Sequence, residues 1–465
     1  MTPLALIIQA RGGLVEGSDR ALDQGRNAER FDFLRARGVR LHPQDGSGIT
    51  RAGQILVTSA AVEETVPDVQ AARRIGATVT TRARLLAELF NSARLPVGVA
   101  GTSGKSTTVG MLGWILHRAG KSPTIVNGAD MKNFIAAGSP FASARIGEGE
   151  VFLSEVDESD GSIALFEPRV AVVNNVSFDH KSLDELRTLF RDFVSGADTV
   201  VLNLDNAETA ALLAGVKPGR AATYSLGAAK ADLVASSPVR SLAGIAFQVK
   251  ARSSAATVAV ALQVPGLHNV ANALAALSAA EACGVTLAAA AAHLGEFSGI
   301  RRRLEIVGAA NEITVVDDFA HNPDKISATL ETLHAFPGRL LLMFQPHGYG
   351  PIRLLRDALV ECFATGLHDE DVLVMPEPVY FGGTVVDRSV GSEDIAREIQ
   401  RRGRKAFAVA DRAACGDLLV RLARRGDRIV VMGARDDSLS QFARELLLRI
   451  AATKHGSTCA ALRSN

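Results

Sequence analysis

The chain has 465 residues, a formal net charge of +1, 47% hydrophobic residues and only 5% aromatic residues. This length is about three times that of a typical domain, so we expect roughly two to four domains with well-filled cores. The balanced charge and few aromatic residues argue against a nucleic-acid surface, and no apolar run reaches membrane-spanning length. Met1–Ala10 is too short and uncharged for a signal peptide, so we expect a cytoplasmic protein with no nucleic-acid or membrane partner.

Residues 1–93 are expected to form a first domain, a small α/β layer with a parallel sheet. The predicted elements are a helix at Ala5–Gln9, strands at Leu14–Asp19 and Gln54–Ser59, and helices at about 28–37, 67–75 and 82–91. Asp19 follows the first strand, where an acid could hydrogen-bond a sugar hydroxyl or, equally well, cap a helix or turn.

Residues 94–298 are expected to form a second domain in which strands alternate with helices. After the first strand of this domain, strands are predicted at Thr124–Asn127, Val151–Val156, Val170–Val176 and Val200–Leu204, and helices at about 183–195, 269–283 and 287–297. Short alternating runs between Ser236 and Val264 predict a small antiparallel excursion.

The stretch Leu95–Thr108 is the most informative part of the chain. An apolar strand pattern leads into a glycine-rich turn, and periodic apolar residues after the turn predict a helix. Backbone N–H groups freed by Gly101 and Gly104 would converge on phosphate oxygens. Lys105 would add a positive charge, and the Ser106 hydroxyl would ligate Mg²⁺. A valine occupies the first glycine position of the strict G-x-x-x-x-G-K-[ST] pattern, so a purely structural turn stays open beside a nucleoside triphosphate site.

Polar residues follow the next two buried strands of this domain. Glu155 is expected to ligate Mg²⁺, because a buried carboxylate needs a compensating cation. Glu158 and Asp160 fit a solvated acidic turn better. Asn175 and His180 would emerge at the same edge, since parallel strands share their carboxyl ends. His180 could bind a second metal ion as neutral imidazole, or be a structural histidine.

Residues 299–465 are expected to form a third α/β domain. Its predicted strands are Ile313–Val316, Leu340–Phe344, Val372–Met375, Ala406–Ala410 and Ile429–Met432, with a frayed tail from residue 453. Arg302 or Arg303 could reach phosphates from across a domain cleft, or belong to a solvated linker. Gly266–Asn272 opens an Ala-rich helix whose amides could grip a base or sugar, although Asn269 could instead cap that helix.

The cysteines are spaced without the C-x-x-C or metal-ligand patterns of redox and zinc sites. They are Cys283, Cys362, Cys415 and Cys459. This usage is typical of a reducing compartment, and we expect packing or surface roles for all of them.

Taken together, these segments resemble the Mur ligases, the ATP-dependent amide-forming enzymes of peptidoglycan precursor synthesis. The shared motifs occur in the family's order: Gly-Thr-Ser-Gly-Lys-Ser-Thr-Thr, Ser-Glu-Val-Asp-Glu-Ser-Asp, Asn-Asn-Val-Ser-Phe-Asp-His, His-Asn-Val-Ala-Asn, Arg-Arg-Leu-Glu and Asp-Asp-Phe-Ala-His-Asn-Pro. The resemblance is greatest to the branch that adds L-alanine to UDP-N-acetylmuramate and to the branch that attaches a recycled peptide. It implies an α/β fold of three domains, with Rossmann-like first and last domains around a central P-loop ATPase domain.

The resemblance also implies a role for each matching residue. The implied ATP ligands are Gly101, Thr102, Ser103, Gly104, Lys105, Ser106 and Thr107, with Asn272 at adenine, Arg303 near the phosphates and Asp318 at the ribose. The implied Mg²⁺ ligands are Ser106, Glu155 and His180. The implied substrate contacts are Asp19, Ser59 and Asn175 for the carboxylate substrate, and His321 and His347 for the incoming amino acid.

Three departures from the family accompany this match. Met1 stands where the family's N-terminal Gly-Ile-Gly-Gly-x-Gly-Met loop ends, which implies either an upstream start or a different mode of UDP binding. Gly348 and Pro351 replace the two arginines of the usual Pro-His-Arg-Tyr-Thr-Arg, which leaves the acceptor's identity open. Asn322 replaces the second histidine of His-His-Pro.

We therefore expect an ADP-forming ligase that activates a carboxylate as an acyl phosphate and joins it to an amine. The first expectation is L-alanine on UDP-N-acetylmuramate, with a monomeric or weakly dimeric protein. A Mur-like ligase with another carboxylate substrate stays open, and so does a non-catalytic nucleotide-binding homologue.

Overall fold

The computed structural model describes residues 1–59, 62–177, 181–228, 230–254, 257–378, 388–434, 436 and 438–453. The chain separates by its internal contacts into two compact units. The first contains Met1–Val239, Ile245–Gln263 and Leu267–Ile300, and the second contains Arg240–Gly244, Val264–Gly266 and the chain from Arg301 onward. The three domain boundaries expected from the sequence stay predictions.

The helices of the first unit are α1 (Thr2–Ala10), α2 (Arg20–Asp23), α3 (Ala28–Ala36), α4 (Pro67–Ile75), α5 (Arg82–Asn91), α6 (Lys105–Arg118), α7 (Leu183–Ser195), α8 (Ala207–Leu212), α9 (Leu267–Ala282) and α10 (Leu287–Leu294). Those of the second unit are α11 (Pro323–His334), α12 (Tyr349–Leu354), α13 (Arg356–Gly366), α14 (Ser392–Arg401), α15 (Arg412–Leu422) and α16 (Ser438–Ala452). Among the described helices, none combines the length and hydropathy that crossing a bilayer would need.

Residues 1–93 carry four short strands: β1 (Glu16–Ser18), β2 (Arg40–His42), β3 (Ile55–Thr58) and β4 (Thr78–Thr81). The pairing is parallel, as expected, but the described strands form two separate two-stranded sheets, β1 with β2 and β3 with β4. The sequence did not predict β2 and β4, because each has only three or four residues and none of them is buried.

A ten-stranded sheet follows, built from β5 (Leu95–Ala100), β6 (Thr124–Val126), β7 (Ala144–Arg145), β8 (Val151–Glu155), β9 (Val170–Val173), β10 (Thr199–Asn203), β11 (Ala221–Ser225), β12 (Leu233–Ser241), β13 (Gly244–Ala251) and β14 (Thr257–Leu262). The strand order is β14-β13-β12-β11-β10-β9-β5-β8-β6-β7. Strand β5 pairs in parallel with both β8 and β9, so the three carboxyl ends meet at one edge. The antiparallel pairing of β13 with β14 confirms the antiparallel strands predicted between Ser236 and Val264.

The second unit contains a six-stranded sheet of β15 (Glu305–Ala310), β16 (Ile313–Asp318), β17 (Leu340–Gln345), β18 (Val372–Pro376), β19 (Lys405–Val409) and β20 (Arg428–Gly433). The order is β15-β16-β20-β17-β18-β19, and all pairs are parallel except β15 with β16. Apolar clusters cover both faces of this sheet. Cys283, Cys362 and Cys415 are buried free thiols, as expected for packing residues, and Cys459 lies outside the described residues.

Gly98 offers a test of how tightly the central strand β5 is packed. A Cβ at Gly98 would lie 2.9 Å from Cζ of Phe193 and 3.3 Å from Cγ2 of Val156. We therefore expect Gly98→Val to lower the free energy of unfolding by about 1–3 kcal/mol, measured by urea denaturation, because a packed core resists added volume. The control is Gly196→Ala, whose Cβ would meet no atom within 4 Å. Equal stability of the two variants would contradict the packing.

Candidate functional site

The turn between β5 and α6 has a backbone that only glycine tolerates at two positions. Gly101 and Gly104 have φ values of +134° and +84°. A Cβ at Gly104 would lie 2.3 Å from Oδ1 of Asn272, and a Cβ at Gly101 would lie 2.9 Å from the carbonyl oxygen of Asn175. The turn therefore packs closely against neighbouring polar groups, and residues 101 and 104 have room only for glycine.

The end of β9 holds this turn in place. Oδ1 of Asn175 accepts a hydrogen bond of 2.8 Å from the Ser103 N–H, and Nδ2 of Asn175 donates to the Ser103 carbonyl at 3.1 Å. The Thr102 N–H donates to the Asn175 carbonyl at 3.0 Å, and the Thr102 hydroxyl donates to the Ser177 carbonyl at 3.2 Å. Asn175 was expected to contact substrate, and in this structure its side chain fixes the loop.

Lys105 begins α6 with a charged side chain of which only 13% is exposed. Its Nζ donates to the carbonyl of Gly101 and to Oε2 of Glu158, each at 2.8 Å. Asp157 lies 3.9 Å from the same nitrogen. Burial alone would lower the pKa of Lys105, but Glu158, Glu155 and Asp157 outweigh it and raise that pKa. The side chain is therefore an ammonium ion at neutral pH.

Ser106 and Glu155 form a pair of oxygen donors beside Lys105. The Ser106 hydroxyl donates to Oε2 of Glu155 at 2.8 Å, and the Gly128 N–H donates to the same oxygen at 2.9 Å. Hydroxyl and carboxylate oxygens are the hard ligands that Mg²⁺ prefers. The expected pairing of these two residues around one ion therefore fits the donors that the structure brings together.

Glu158 departs from its expected role as a solvated turn residue. Only 4% of Glu158 is exposed, because its carboxylate turns inward to Lys105. Burial raises the pKa of Glu158, and the ammonium of Lys105 opposes that shift. Asp160 is exposed, as expected, and accepts a hydrogen bond from the Ser162 N–H. A buried lysine needs a counter-charge, and this requirement is the signal by which Glu158 could have been recognised as its partner.

Asn272 lies on α9 and is packed against α6. Its Oδ1 accepts a hydrogen bond of 3.4 Å from the buried Thr108 hydroxyl, and its Nδ2 donates to Oδ1 of Asn269 at 3.1 Å. Asn269 is the third residue of α9, so it is not the residue that precedes this helix, and its expected capping role stays a prediction. Thr107 is also buried. The implied contact of Asn272 with adenine stays a prediction.

The remaining candidates of the first unit have local partners or lie outside the described residues. Asp19 is the N-cap of α2, and its Oδ1 accepts a hydrogen bond of 2.7 Å from the Ala21 N–H. This contact confirms the expected capping role of Asp19, and its contact with a sugar hydroxyl stays a prediction. Ser59 follows β3, and its carbonyl accepts from the Val62 N–H. His180, the implied second metal ligand, lies outside the described residues.

Arg302 of the second unit is a buried structural residue rather than a solvated linker residue or a free phosphate ligand. Its guanidinium donates to the carbonyl oxygens of Gly433 and Asp436 at 2.6 and 3.0 Å, and to Oδ1 of Asp317 at 3.3 Å. Arg303 instead places its guanidinium 4.5 Å from the ring centre of Phe319. A phosphate contact of Arg303 stays a prediction.

Asp318 is 6% exposed, and both of its carboxylate oxygens have partners. Oδ1 accepts from the N–H groups of Leu304 and Phe319 at 3.2 and 2.9 Å, and Oδ2 accepts from the Thr329 hydroxyl. These contacts fix the end of β16 and the chain that follows it. The implied contact of Asp318 with a ribose stays a prediction.

His321 and His347, both expected near the incoming amino acid, lie together in the second unit. Their ring centres are 5.3 Å apart and the rings are perpendicular. Nδ1 of His321 lies 2.8 Å from the Phe319 carbonyl oxygen, so that nitrogen carries the hydrogen and Nε2 is left as an acceptor. Burial, with help from the charge of Lys325, lowers the pKa of His321 to about 3. His321 is therefore a neutral imidazole at physiological pH.

Three family models match consecutive parts of this chain. They are the Mur ligase family, catalytic domain, over residues 1–94, the Mur ligase middle domain over 99–280, and the Mur ligase, glutamate ligase domain, over 302–435. Together they extend over both compact units.

Individual proteins give the same result. The chain is 33% identical to the UDP-N-acetylmuramate–L-alanine ligase of Geobacter sp. (strain M21), over 98% of this chain and 96% of that protein. The structure of UDP-N-acetylmuramate-alanine ligase from Thermotoga maritima superposes with a TM-score of 0.78 at 24% identity, covering 97% of this chain and 96% of that one, a likeness of fold. The murein peptide ligase of Psychrobacter arcticus gives a TM-score of 0.69 at 25% identity, covering 97% of each chain.

The buried pair of Lys105 and Glu158 yields a stability test. Glu158→Gln keeps the shape of the side chain but removes the charge that faces Lys105, so we expect the free energy of unfolding to fall by about 1–3 kcal/mol in urea denaturation. Asp160→Asn is the matched control, because that carboxylate is exposed, and it should change stability little. Two equally stable variants would show that Glu158 does not compensate Lys105.

The lowered pKa of His321 predicts a pH effect on stability. Between pH 6.5 and about 5 the unfolded chain takes up a proton at this imidazole and the folded chain does not, so acidification destabilises the fold. Over that interval the unfolding free energy of the parent protein should fall by about 1–2 kcal/mol more than that of His321→Gln. The measurement is urea denaturation of both proteins at each pH. Parallel stability curves for the two proteins would contradict a buried neutral histidine.

Proposed function

This chain belongs to the Mur ligase family, and from that membership and the geometry around Lys105 we propose that it is an ATP-dependent, ADP-forming ligase that joins L-alanine to UDP-N-acetylmuramate. Its relative from Geobacter, which carries that name, aligns with nearly the whole chain. The observation that carries the proposal is the buried ammonium of Lys105 beside the Ser106 and Glu155 oxygens, at the end of a glycine-rich turn. That combination suits the phosphates of ATP and a divalent cation.

In the proposed reaction an oxygen of the substrate carboxylate attacks the γ-phosphorus of ATP, which forms an acyl phosphate and releases ADP. The amine of the amino acid then attacks the acyl carbon, and phosphate leaves with the electrons of the carbon–oxygen bond. Catalysis of both steps rests on positioning and on stabilising negative charge. Nε2 of His321, beside His347, would accept a hydrogen bond that orients the attacking amine. Because the pKa of His321 is about 3, the proton that the amine gives up would pass to the departing phosphate or to water.

The residues of the turn would divide the work on ATP. Lys105 would exchange the carboxylate of Glu158 for phosphate oxygens and offset their charge. Ser106 and Glu155 would hold Mg²⁺, with His180 at a second ion, and the metal would act as a Lewis acid toward the transferred phosphoryl group. Asn272 at the adenine base belongs to the same proposal.

The other proposed contacts involve residues outside the turn. Arg303 at the phosphates and Asp318 at the ribose would complete the nucleotide site. Asp19, Ser59 and Asn175 would face the carboxylate substrate. We further propose a cytoplasmic protein that acts as a monomer or weak homodimer, without nucleic-acid or membrane partners.

A second candidate function differs only in the substrates, and Gly348 favours it. This glycine has a φ of +135°, a conformation that other residues rarely adopt, and it precedes α12. Neither Gly348 nor Pro351 supplies the guanidinium with which an arginine binds a carboxylate through two hydrogen bonds. The acceptor could therefore be another amino acid or a peptide, and the acid could be another carboxylate.

The deciding experiment measures phosphate release from ATP with Mg²⁺, crossing UDP-N-acetylmuramate and other acids with amino acids and short peptides. We expect release that requires both UDP-N-acetylmuramate and L-alanine. Lys105→Met should lower the rate by at least about a hundredfold, because one fixed charge on a transferring phosphoryl group contributes several kcal/mol.

Lys217→Met is the matched control, since it removes an exposed ammonium distant in sequence from the turn, and it should keep the parent rate. Release only with other substrates would favour the second candidate. No release with any pair, or an active Lys105→Met variant, would refute the proposed ligase.

A further inference from the structure

The first unit contains an open pocket of about 260 Å³ at the edge of the ten-stranded sheet opposite the Lys105 turn. It lies where β10, β11 and β12 begin, since Thr199, Ala221 and Leu233 line it. Strands β10 and β9 run parallel to β5, so the amino ends of these strands face away from the turn at the carboxyl end of β5. The last residues of α9 close one side of the pocket. The proposed ligase reaction uses none of these residues.

The first sign of a ligand is the Ser278 hydroxyl. Ser278 lines the pocket and is only 3% exposed, yet its oxygen has no hydrogen-bond partner among the described residues. A buried polar atom without a partner costs free energy, so native proteins rarely keep one unless a water molecule or ligand satisfies it. Ser278 therefore offers a hydrogen bond into the pocket.

The second sign is a pair of opposite charges that do not bind each other. Arg220 and Glu281 both line the pocket, and no ion pair joins them in the part of the chain that the structure describes. Arg220 donates to the carbonyl of Ala197 at 3.0 Å, and its charge also acts on the carboxyl of Asp198, whose pKa it helps to lower. Glu281 is exposed, but the partial burial of its carboxyl raises its pKa and no cation opposes that shift. The third charged lining residue, Asp232, is already compensated by Arg252 at 3.1 Å.

We propose that this pocket binds a free α-amino acid with a small aliphatic side chain. The amino acid's carboxylate would lie on the guanidinium of Arg220, and its ammonium group on Glu281 and the Ser278 oxygen. A zwitterion satisfies both charges and the unpartnered hydroxyl, whereas an anion or a simple amine satisfies only one charge. Ala222 and Ala251 supply an apolar wall for the side chain.

Isothermal titration calorimetry of the full chain tests this site with L-valine and L-alanine, against isobutyrate and isobutylamine as analogues that lack one charge. We expect the amino acids to bind at least about tenfold more tightly than either analogue, since each analogue leaves one charged group without its partner. The pocket variants Ser278→Ala and Glu281→Gln leave His321 and His347 unchanged, so weaker binding in those variants separates this site from the acceptor site of the proposed ligase reaction.

Two variants keep the test specific to the pocket. Ser278→Ala should weaken binding about fivefold, the effect of one hydrogen bond, and should leave the melting temperature of the free protein unchanged or higher. Glu281→Gln, at an exposed position, should weaken binding about tenfold or more. Absence of binding, equal affinity for isobutyrate, or unchanged affinity in both variants would overturn the proposal.

Discussion

The close approach between the β5–α6 turn and its polar neighbours is the constraint on which the candidate site depends. Asn175 binds the backbone of Ser103 on both its N–H and its carbonyl, while Asn272 lies where any side chain at Gly104 would have to be. Such contacts require glycine at positions 101 and 104, where a side chain would collide with these neighbours. Because β9 and α9 hold the turn from separate elements, the first residue of α6 is fixed in place, and Lys105 enters a buried polar cluster rather than solvent.

Charge balance explains why that cluster suits both phosphate and metal. The carboxyl groups of Glu155, Asp157 and Glu158 all act on the single ammonium of Lys105, so acidic groups outnumber ammonium groups around it. A divalent cation at Ser106 and Glu155 would correct this excess, and it would then let the cluster accept the negative phosphates. Lys105 can leave Glu158 only if another anion takes its place, since an unpaired buried charge is costly. The arrangement therefore favours joint binding of metal and nucleotide.

The sequence predicted the parts of the structure that depend on strong local patterns. Fully buried apolar strands such as Val170–Val173 and amphipathic helices such as Leu183–Ser195 were placed within a few residues. The shared strand ends also brought Ser106 and Glu155 together, as expected. The sequence did not predict strand β15, which lies half-exposed at a sheet edge and has no run of buried residues. It also failed for Glu158 and Arg302, because a charged residue that is buried by a distant partner has the same local pattern as a solvated one.

Gly348 and Pro351 stand near His347 where the family usually has arginines. At Gly348 the backbone conformation itself disfavours an arginine. Gly348 adopts a φ of +135° at the start of α12, whereas an arginine there would have to leave that conformation or bear its strain. Restoring the usual side chain would thus move the backbone that leads from His347 into α12. Since His347 packs on the neutral ring of His321, such a shift would also disturb the histidine pair. The residue type at position 348 is therefore tied to the course of the main chain, and a single side-chain exchange there would not restore the family's usual arrangement.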